Sequence, residues 1–483
     1  MSPWLTPHPS GYGTPVSRRR LLQIAANGFG ALAFSGLLGN KTQAGAVRGV
    51  GNVRPAHFAP KARSVIFLFM EGAVSQVDSF DYKPMLERHH GKNPRQTIGK
   101  LEKTQFENIG TVLKSPWAFQ QHGQSGLWIS DLFPHIARQA DQLCVLNSMT
   151  SAFPEHTSAN YFLHSGLGLQ GRPSLGAWVA YGLGSFNENL PGVVVLNGGQ
   201  IPSGGLDCFG SGFLPASFQG SLLNAKGTPL ANIVPNEQAP AQQQAKRRLA
   251  ERLNRIALET SGGNDALESA IANAELAARM QIAIPDLLDV SNESEATRRL
   301  YGLDAAYPHT QTYARQCLIA RRMVERGVRF IELTIPMVDG YQRWDAHGGL
   351  VKNHGDNARA VDQPIAGLLA DLDQRGLLDS TLVVWSGEFG RTPFAQGSDG
   401  RDHNEFGFSA WMAGGGLRIG MAYGATDEWG YRSVEKPVEM HDLHATVLHL
   451  LGLDHTQLTF RFGGRDIRLT DVHGNVLHEV LRA

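Results

Sequence analysis

After residue 62 the chain alternates uninterrupted apolar runs with longer stretches in which apolar residues recur every three to four positions. The first run, Ser64-Val65-Ile66-Phe67-Leu68-Phe69-Met70, has almost no polar interruption and breaks into Glu71-Gly72. That is the pattern of a strand buried on both faces, with polar residues beginning at its carboxyl end. The same reading predicts strands over 143–147, 328–335, 380–386 and 408–413. Helical spacing predicts helices over 130–140, capped by Ser130 or Asp131, and over 311–326, 357–375 and 441–451. From about 235 to 300 the composition shifts to Ala, Gln, Glu and Arg, and two helical stretches, 243–260 and 264–282, read as a helical insertion. Strands separated by helices of this length imply an α/β fold with a doubly wound, mostly parallel sheet.

Composition narrows the class. The 483 residues are 42% hydrophobic and 18% charged, enough to bury a large core, and 44 basic against 44 acidic residues leave no net charge to attract nucleic acid or an anionic membrane. The N-terminus is more specific: Ser17-Arg18-Arg19-Arg20-Leu21-Leu22 precedes a short Gly- and Ala-rich apolar run over 24–38, with Ala44-Gly45-Ala46 beyond it. The run is too short and small-sided for a stable membrane span, and paired arginines before it resemble a twin-arginine export signal over 1–46. A linker over 47–62 and one domain over 63–483 follow, which implies a periplasmic or extracellular protein and a passing encounter with the twin-arginine translocase. The three cysteines, Cys144, Cys208 and Cys317, show no C-x-x-C spacing. They argue against a thiolate metal site or a disulfide framework, leaving one Cys144–Cys208 pair open.

In doubly wound sheets ligands sit at the carboxyl ends of the strands. Four polar clusters occupy such places. Glu71 and Gly72 open a loop that runs through Asp78 to Asp81; Asp345 and His347 lie in a Gly-rich loop, with His354 beyond; Ser386-Gly387-Glu388 follows an apolar strand; and Gly400-Arg401-Asp402-His403-Asn404 precedes another strand. Hard oxygens mixed with imidazoles suit zinc, iron or manganese.

The order strand–carboxylate–Gly, Asp-x-His, strand–Ser-Gly-Glu-Phe-Gly and Asp-His resembles the alkaline-phosphatase superfamily of phosphatases, sulfatases and phosphodiesterases. The nearest likeness is its exported branch known as the domain of unknown function 1501 family, and it extends through His441-Asp442-Leu443-His444 to Phe462-Gly463-Gly464-Arg465-Asp466. The resemblance implies divalent metal ions, zinc, manganese or calcium, held by Glu71 or Asp78, Asp345, His347, Glu388, Asp402 and His403. Glu388-Phe389 stands where Asp-His is common. Counting back from Gly166 at a helix end puts His156 at the nucleophile's position, with Thr157 and Ser158 beside it; His156 could instead bind metal or act as a base. Arg391 and Arg401, with Arg172, are candidates to grip a sulfate or phosphate. No Cys-x-Pro-x-Arg occurs, which disfavours a formylglycine sulfatase. The resemblance implies an exported metal-dependent hydrolase of sulfate or phosphate esters acting on an anionic small molecule or glycan, or a binding protein for anionic glycans that kept the fold without the chemistry.

Overall fold

In the computed structural model, which describes residues 53–103, 106, 108–224, 239–261, 265–338 and 343–482, the first apolar run is strand β1 (Ser64–Phe69), buried at every position. It is followed in chain order by β2 (Leu143–Thr150), β3 (Val193–Asn197), β4 (Ser221–Asn224), β5 (Phe330–Thr334), β6 (Thr381–Ser386), β7 (Gly390–Gln396), β8 (Gly400–Asn404), β9 (Phe408–Gly414), β10 (Met421–Tyr423) and β11 (Val438–Glu439). The central sheet has nine strands in the order β10-β2-β9-β6-β1-β5-β3-β4, with β11 on β2. Strand β1 pairs in parallel with β5 and β6, and β3 pairs in parallel with β5 and β4; β9 runs antiparallel to both β6 and β2. The predicted export signal over 1–46 and loop residues 339–342 lie outside the described residues.

Alternate side chains of each strand point to opposite faces. Ile66, Leu68, Ile331, Leu333, Val383 and Trp385 pack on one side with helices α5 (Pro308–Glu325) and α6 (Leu350–Gln374). Val65, Phe67, Phe69, Phe330, Leu382 and Val384 pack on the other with α1 (His156–Ser165), α2 (Leu175–Leu183) and α7 (Met440–Leu450). A side chain such as Leu68, fully buried, contributes about 1.5–3 kcal/mol through the water it sheds. The two-faced burial explains why these strands read as continuous apolar runs. The helical insertion is present as α3 (Pro240–Ser261) and α4 (Asp265–Leu288), tied by Gln243 donating to Gln281 and Arg247 donating to the Ala278 carbonyl. Leu276, Met280 and Ile284 of α4 enter the core. The three cysteines are buried and free, so the Cys144–Cys208 pair does not form.

Two local expectations need correction. The helix expected over 130–140 is a 3-10 helix over Ile136–Gln142. Ser130 ends a short strand, Asp131 accepts from the Ala118 N–H, and Asp362 of α6 takes the N–H groups of His135 and Ile136. Helix α6 starts at Leu350 rather than at 357, because Gly349 in left-handed geometry (φ +61°) turns the chain straight into it. Residues 400–404, left without an element, are themselves a strand, the second arm of the β7–β8 hairpin, and the strand expected after them follows as β9.

Candidate metal centre

The carboxyl ends of β1, β5 and β6 converge on one spot, and the β7–β8 hairpin folds over it. Four side chains meet there: His156 at the start of α1, Asp345 and His347 from the loop after β5, and His403 from β8. Asp345 Oδ1 lies 2.9 Å from His347 Nε2, 3.3 Å from His156 Nε2 and 3.4 Å from His403 Nε2. Donors held 2.0–2.1 Å from one tetrahedral ion would be about 3.3 Å apart.

The other ring nitrogens decide what this arrangement wants. His403 Nδ1 donates to the Pro154 carbonyl at 2.6 Å, His156 Nδ1 donates to Glu388 Oε1 at 2.6 Å, and His347 Nδ1 donates to the Gln396 side-chain oxygen. The Pro154 carbonyl, the Glu388 carboxylate and the Gln396 amide oxygen all accept, so each Nδ1 carries a proton, and any ring without a second proton turns its Nε2 lone pair toward Asp345. Lone pairs facing a carboxylate repel unless a cation lies between. Fixing Nδ1 on an outer acceptor is how proteins orient histidines that ligate metal. The buried Nε2 of His156 has no hydrogen-bond partner, as expected of an atom free to ligate. The residues therefore fit a divalent ion.

Electrostatics carries the same message. Burial opposes charge on Asp345, yet the three imidazoles and Arg391 hold its carboxyl far below the usual range. Burial also works against protonating His156, but Asp345 and Glu388 on either side lift it to about 9, while burial leads in pushing His403 down to about 3. One positive charge belongs in the cluster, and in the protein alone a proton on His156 supplies it.

Close backbone approach makes this geometry possible. Gly72 sits at φ +97°, and a Cβ there would come within 2.7 Å of the Trp344 and Asp345 backbone nitrogens. Its N–H donates to Glu388 Oε1 at 2.9 Å, which fixes that carboxylate behind His156. A Cβ on Gly400 would strike the His347 carbonyl at 2.0 Å, so only glycine lets the hairpin close over the loop.

The sequence-derived candidates separate into groups. Asp345, His347 and His403 are brought together, and His156 joins them with its ring in the cluster. Thr157 donates its backbone N–H to Glu155 on the first turn of α1, outside the four donors. Glu388 stands behind His156 rather than among the donors. Glu71 lines the same site but pairs with Arg343 and accepts from the Ser203 N–H at 2.8 Å. Asp402 lies 4.0 Å from His347 and turns away to the N–H groups of His403 and Phe106. Asp78 does not take part: Arg401 grips both its oxygens at 2.7 and 3.0 Å, and Ser75 donates to it at 2.5 Å. The anion-binding role expected of Arg391 and Arg401 does not fit either. Both are fully buried, Arg391 on Asp345 and backbone carbonyls and Arg401 on Asp78. His354 accepts from the Ser75 N–H on α6. Arg343, Gln200 and Ser203 escaped the sequence reading; with Glu71, Gly72, His156 and Asp345 they line a cavity of about 150 Å³ beside the cluster. Nothing in their local sequence marks them, since they reach the site through loops.

Among solved structures the chain is similar to phosphonate monoester hydrolase SpPMH from Silicibacter pomeroyi, at 11% identity over 87% of this chain and 77% of that one, with a TM-score of 0.39. It is also similar to PsFucS1 sulfatase from Pseudoalteromonas sp., at 12% identity over 90% and 72% with a TM-score of 0.34. A TAB5 alkaline phosphatase with Mg bound is 9% identical over 82% and 99%, with a TM-score of 0.35. No curated protein matches the sequence. A family model described as Protein of unknown function (DUF1501) matches residues 62–481, nearly the whole described domain, and the chain belongs to that family.

Proposed function

We propose that this protein is an exported, metal-dependent hydrolase of sulfate or phosphate esters, its ion held by His156, Asp345, His347 and His403. The single observation behind the reading is the convergence of three Nδ1-anchored imidazoles on one carboxylate oxygen beside an open cavity. Three nitrogens and one oxygen favour zinc or a similar transition metal over calcium, which prefers an all-oxygen shell. When bound, a divalent ion supplies a Lewis acid and makes water a competent nucleophile at neutral pH.

The chain's own residues supply position and charge. Asp345 and Glu388 are only partly countered by Arg391, and Glu71 is matched by Arg343, so the site is one positive charge short of neutral. A divalent ion turns that deficit into a net positive charge, which favours an anionic group in the cavity. The cavity is well below the roughly 300–1,000 Å³ that engulfs a drug-sized ligand, so it suits the charged head of an ester whose remainder lies outside. Gln200, Ser203 and Arg343 also line it and would orient that head. The arginine pair and short apolar run of residues 1–46 support export by the twin-arginine route to the periplasm or cell exterior. Among the described residues no helix is long and apolar enough to cross a membrane.

The test is a panel of aryl phosphate mono- and diesters, phosphonate monoesters and sulfates, assayed with metal-reconstituted protein. Turnover that disappears in Asp345→Asn and His347→Ala, and after chelation, is expected. Stoichiometric metal with no turnover on any ester would overturn hydrolysis. It would favour the second reading, a non-catalytic binding protein for anionic glycans, which draws support from the absence of any hydroxyl or thiol among the four donors.

A further inference from the structure

Helix α1 has a second cluster at its far end. His156 opens the helix and Gly166 closes it, so the two ends lie about 15 Å apart at 1.5 Å per residue. There Glu439, His441 and His473 place one ligand atom each within 4.8 Å of one another. They border a cavity of about 360 Å³ whose wall also includes Asp471 and Ser151.

Several independent features point to a cation. His441 Nε2 donates to the Gly166 carbonyl at 2.8 Å, so the neutral ring carries its proton there and leaves Nδ1 as a bare acceptor. Phe162 stands edge-on to the same ring, centroids 5.1 Å apart at 85°, and holds its orientation. His473 is stacked on His441 with centroids 4.9 Å apart, which brings two imidazoles together without an anion between them. Glu439 supplies the negative charge at the edge. Gly166 at φ +70° allows the approach, since a Cβ there would meet the Leu469 carbonyl at 2.4 Å and the His441 ring at 3.3 Å.

The chain holds these donors in place from two sides. Glu439 and Asp442 exchange hydrogen bonds with each other's backbone at the start of α7, and Asp442 also accepts from the Asn475 N–H at 2.6 Å, which pins the loop carrying His473. The positive N-terminal end of α7 alone would repel a cation. The two carboxylates offset it, and the negative C-terminal end of α1 adds to them.

We propose that Glu439, His441 and His473 form a second site for a divalent transition-metal ion, clipping the 469–475 loop to α1 and α7. Asp471, 3.9 Å from Arg172, lies on the wall of the same cavity, and water would complete the shell. This site does not depend on the catalytic reading of the first one.

The experiment is metal counting on the full mature protein, stripped by chelation and dialysed against zinc alone, with zinc anomalous diffraction on the same sample. The wild type is expected to hold two equivalents with density peaks at both ends of α1. His473→Ala removes an exposed side chain and Glu439→Gln keeps a capping oxygen, so both variants fold; each should drop to one equivalent and keep the peak at Asp345. Zinc should also slow proteolysis within 469–475 in the wild type and not in His473→Ala. Equal zinc content in wild type and both variants, or no anomalous peak at His441, overturns the proposal. Asp345→Asn should lose only the other ion, so failure of the hydrolase reading remains distinguishable.

Discussion

Asp345, half-buried, and Asp78, fully buried, each meet an arginine from the same hairpin, yet they do opposite things. Arg401 saturates Asp78 with a two-pronged grip, and Ser75 takes what is left. Arg391 reaches Asp345 from one side only, and the rest of the shell is filled by imidazole nitrogens. A carboxylate whose partners bring their own charge is a structural strut. One whose partners are imidazoles calls for a further positive charge, which a proton on a ring or a bound cation can supply. Asp362 marks a third case, held by two backbone N–H groups, with Arg138 acting on it only as a lesser, longer-range charge.

Replacement by asparagine separates the first two cases most strongly. Asp78→Asn leaves Arg401 charged, buried and uncompensated, and should lower unfolding free energy by about 3–5 kcal/mol. Asp345→Asn in metal-free protein should cost clearly less, because Arg391 keeps an amide acceptor and its backbone carbonyls and His156 can give up its proton. Denaturant melts of both variants check this, and an equal loss would erase the distinction.

The third case predicts a pH dependence. Burial leads in lifting Asp362 to about 7, against the two N–H bonds that pull it down. Between about pH 4 and pH 7 the folded state therefore binds a proton that the unfolded state has released, so stability falls as pH rises through that window and is level above it. The loss is at most about 4 kcal/mol at 1.36 kcal/mol per unit. It should appear as a pH-dependent gap between wild type and Asp362→Asn; a constant gap would show that the N–H bonds keep the group at its ordinary value.

Chelation probes Asp345 directly. At a metal concentration a hundredfold above Kd, removal should cost about 2.7 kcal/mol. The shift in Tm should persist in Asp78→Asn and shrink in Asp345→Asn, where only the distal site would remain to respond. The smallest effect is expected one layer out. Glu388→Gln leaves the donors in place but weakens the anchor on His156 Nδ1, and should reduce affinity 10- to 100-fold by metal titration, about 1.4–2.8 kcal/mol. Unchanged affinity would mean that Gly72 and packing alone hold that ring.

Much of the scaffold was legible. Strands β1, β5, β6 and β9 announced themselves as apolar runs because both their faces are buried, and α5 and the helices of the insertion followed from spacing. The helix expected over 130–140 failed because its cap comes from Asp362, more than 220 residues away in sequence. Hairpin β7–β8 was missed because its residues are polar and charged yet buried, each satisfied by a specific partner.

The sequence by itself determined the fold class, the carboxyl edge on which chemistry would gather, and three of the four converging donors, since these depend on local pattern and strand direction. Only the tertiary structure decided which carboxylate is free to meet a cation, that His156 turns into the cluster, and that His441 finds His473. Strand order and register bring together groups hundreds of residues apart, and no local pattern encodes whether a carboxylate will face a guanidinium or the lone pair of an imidazole.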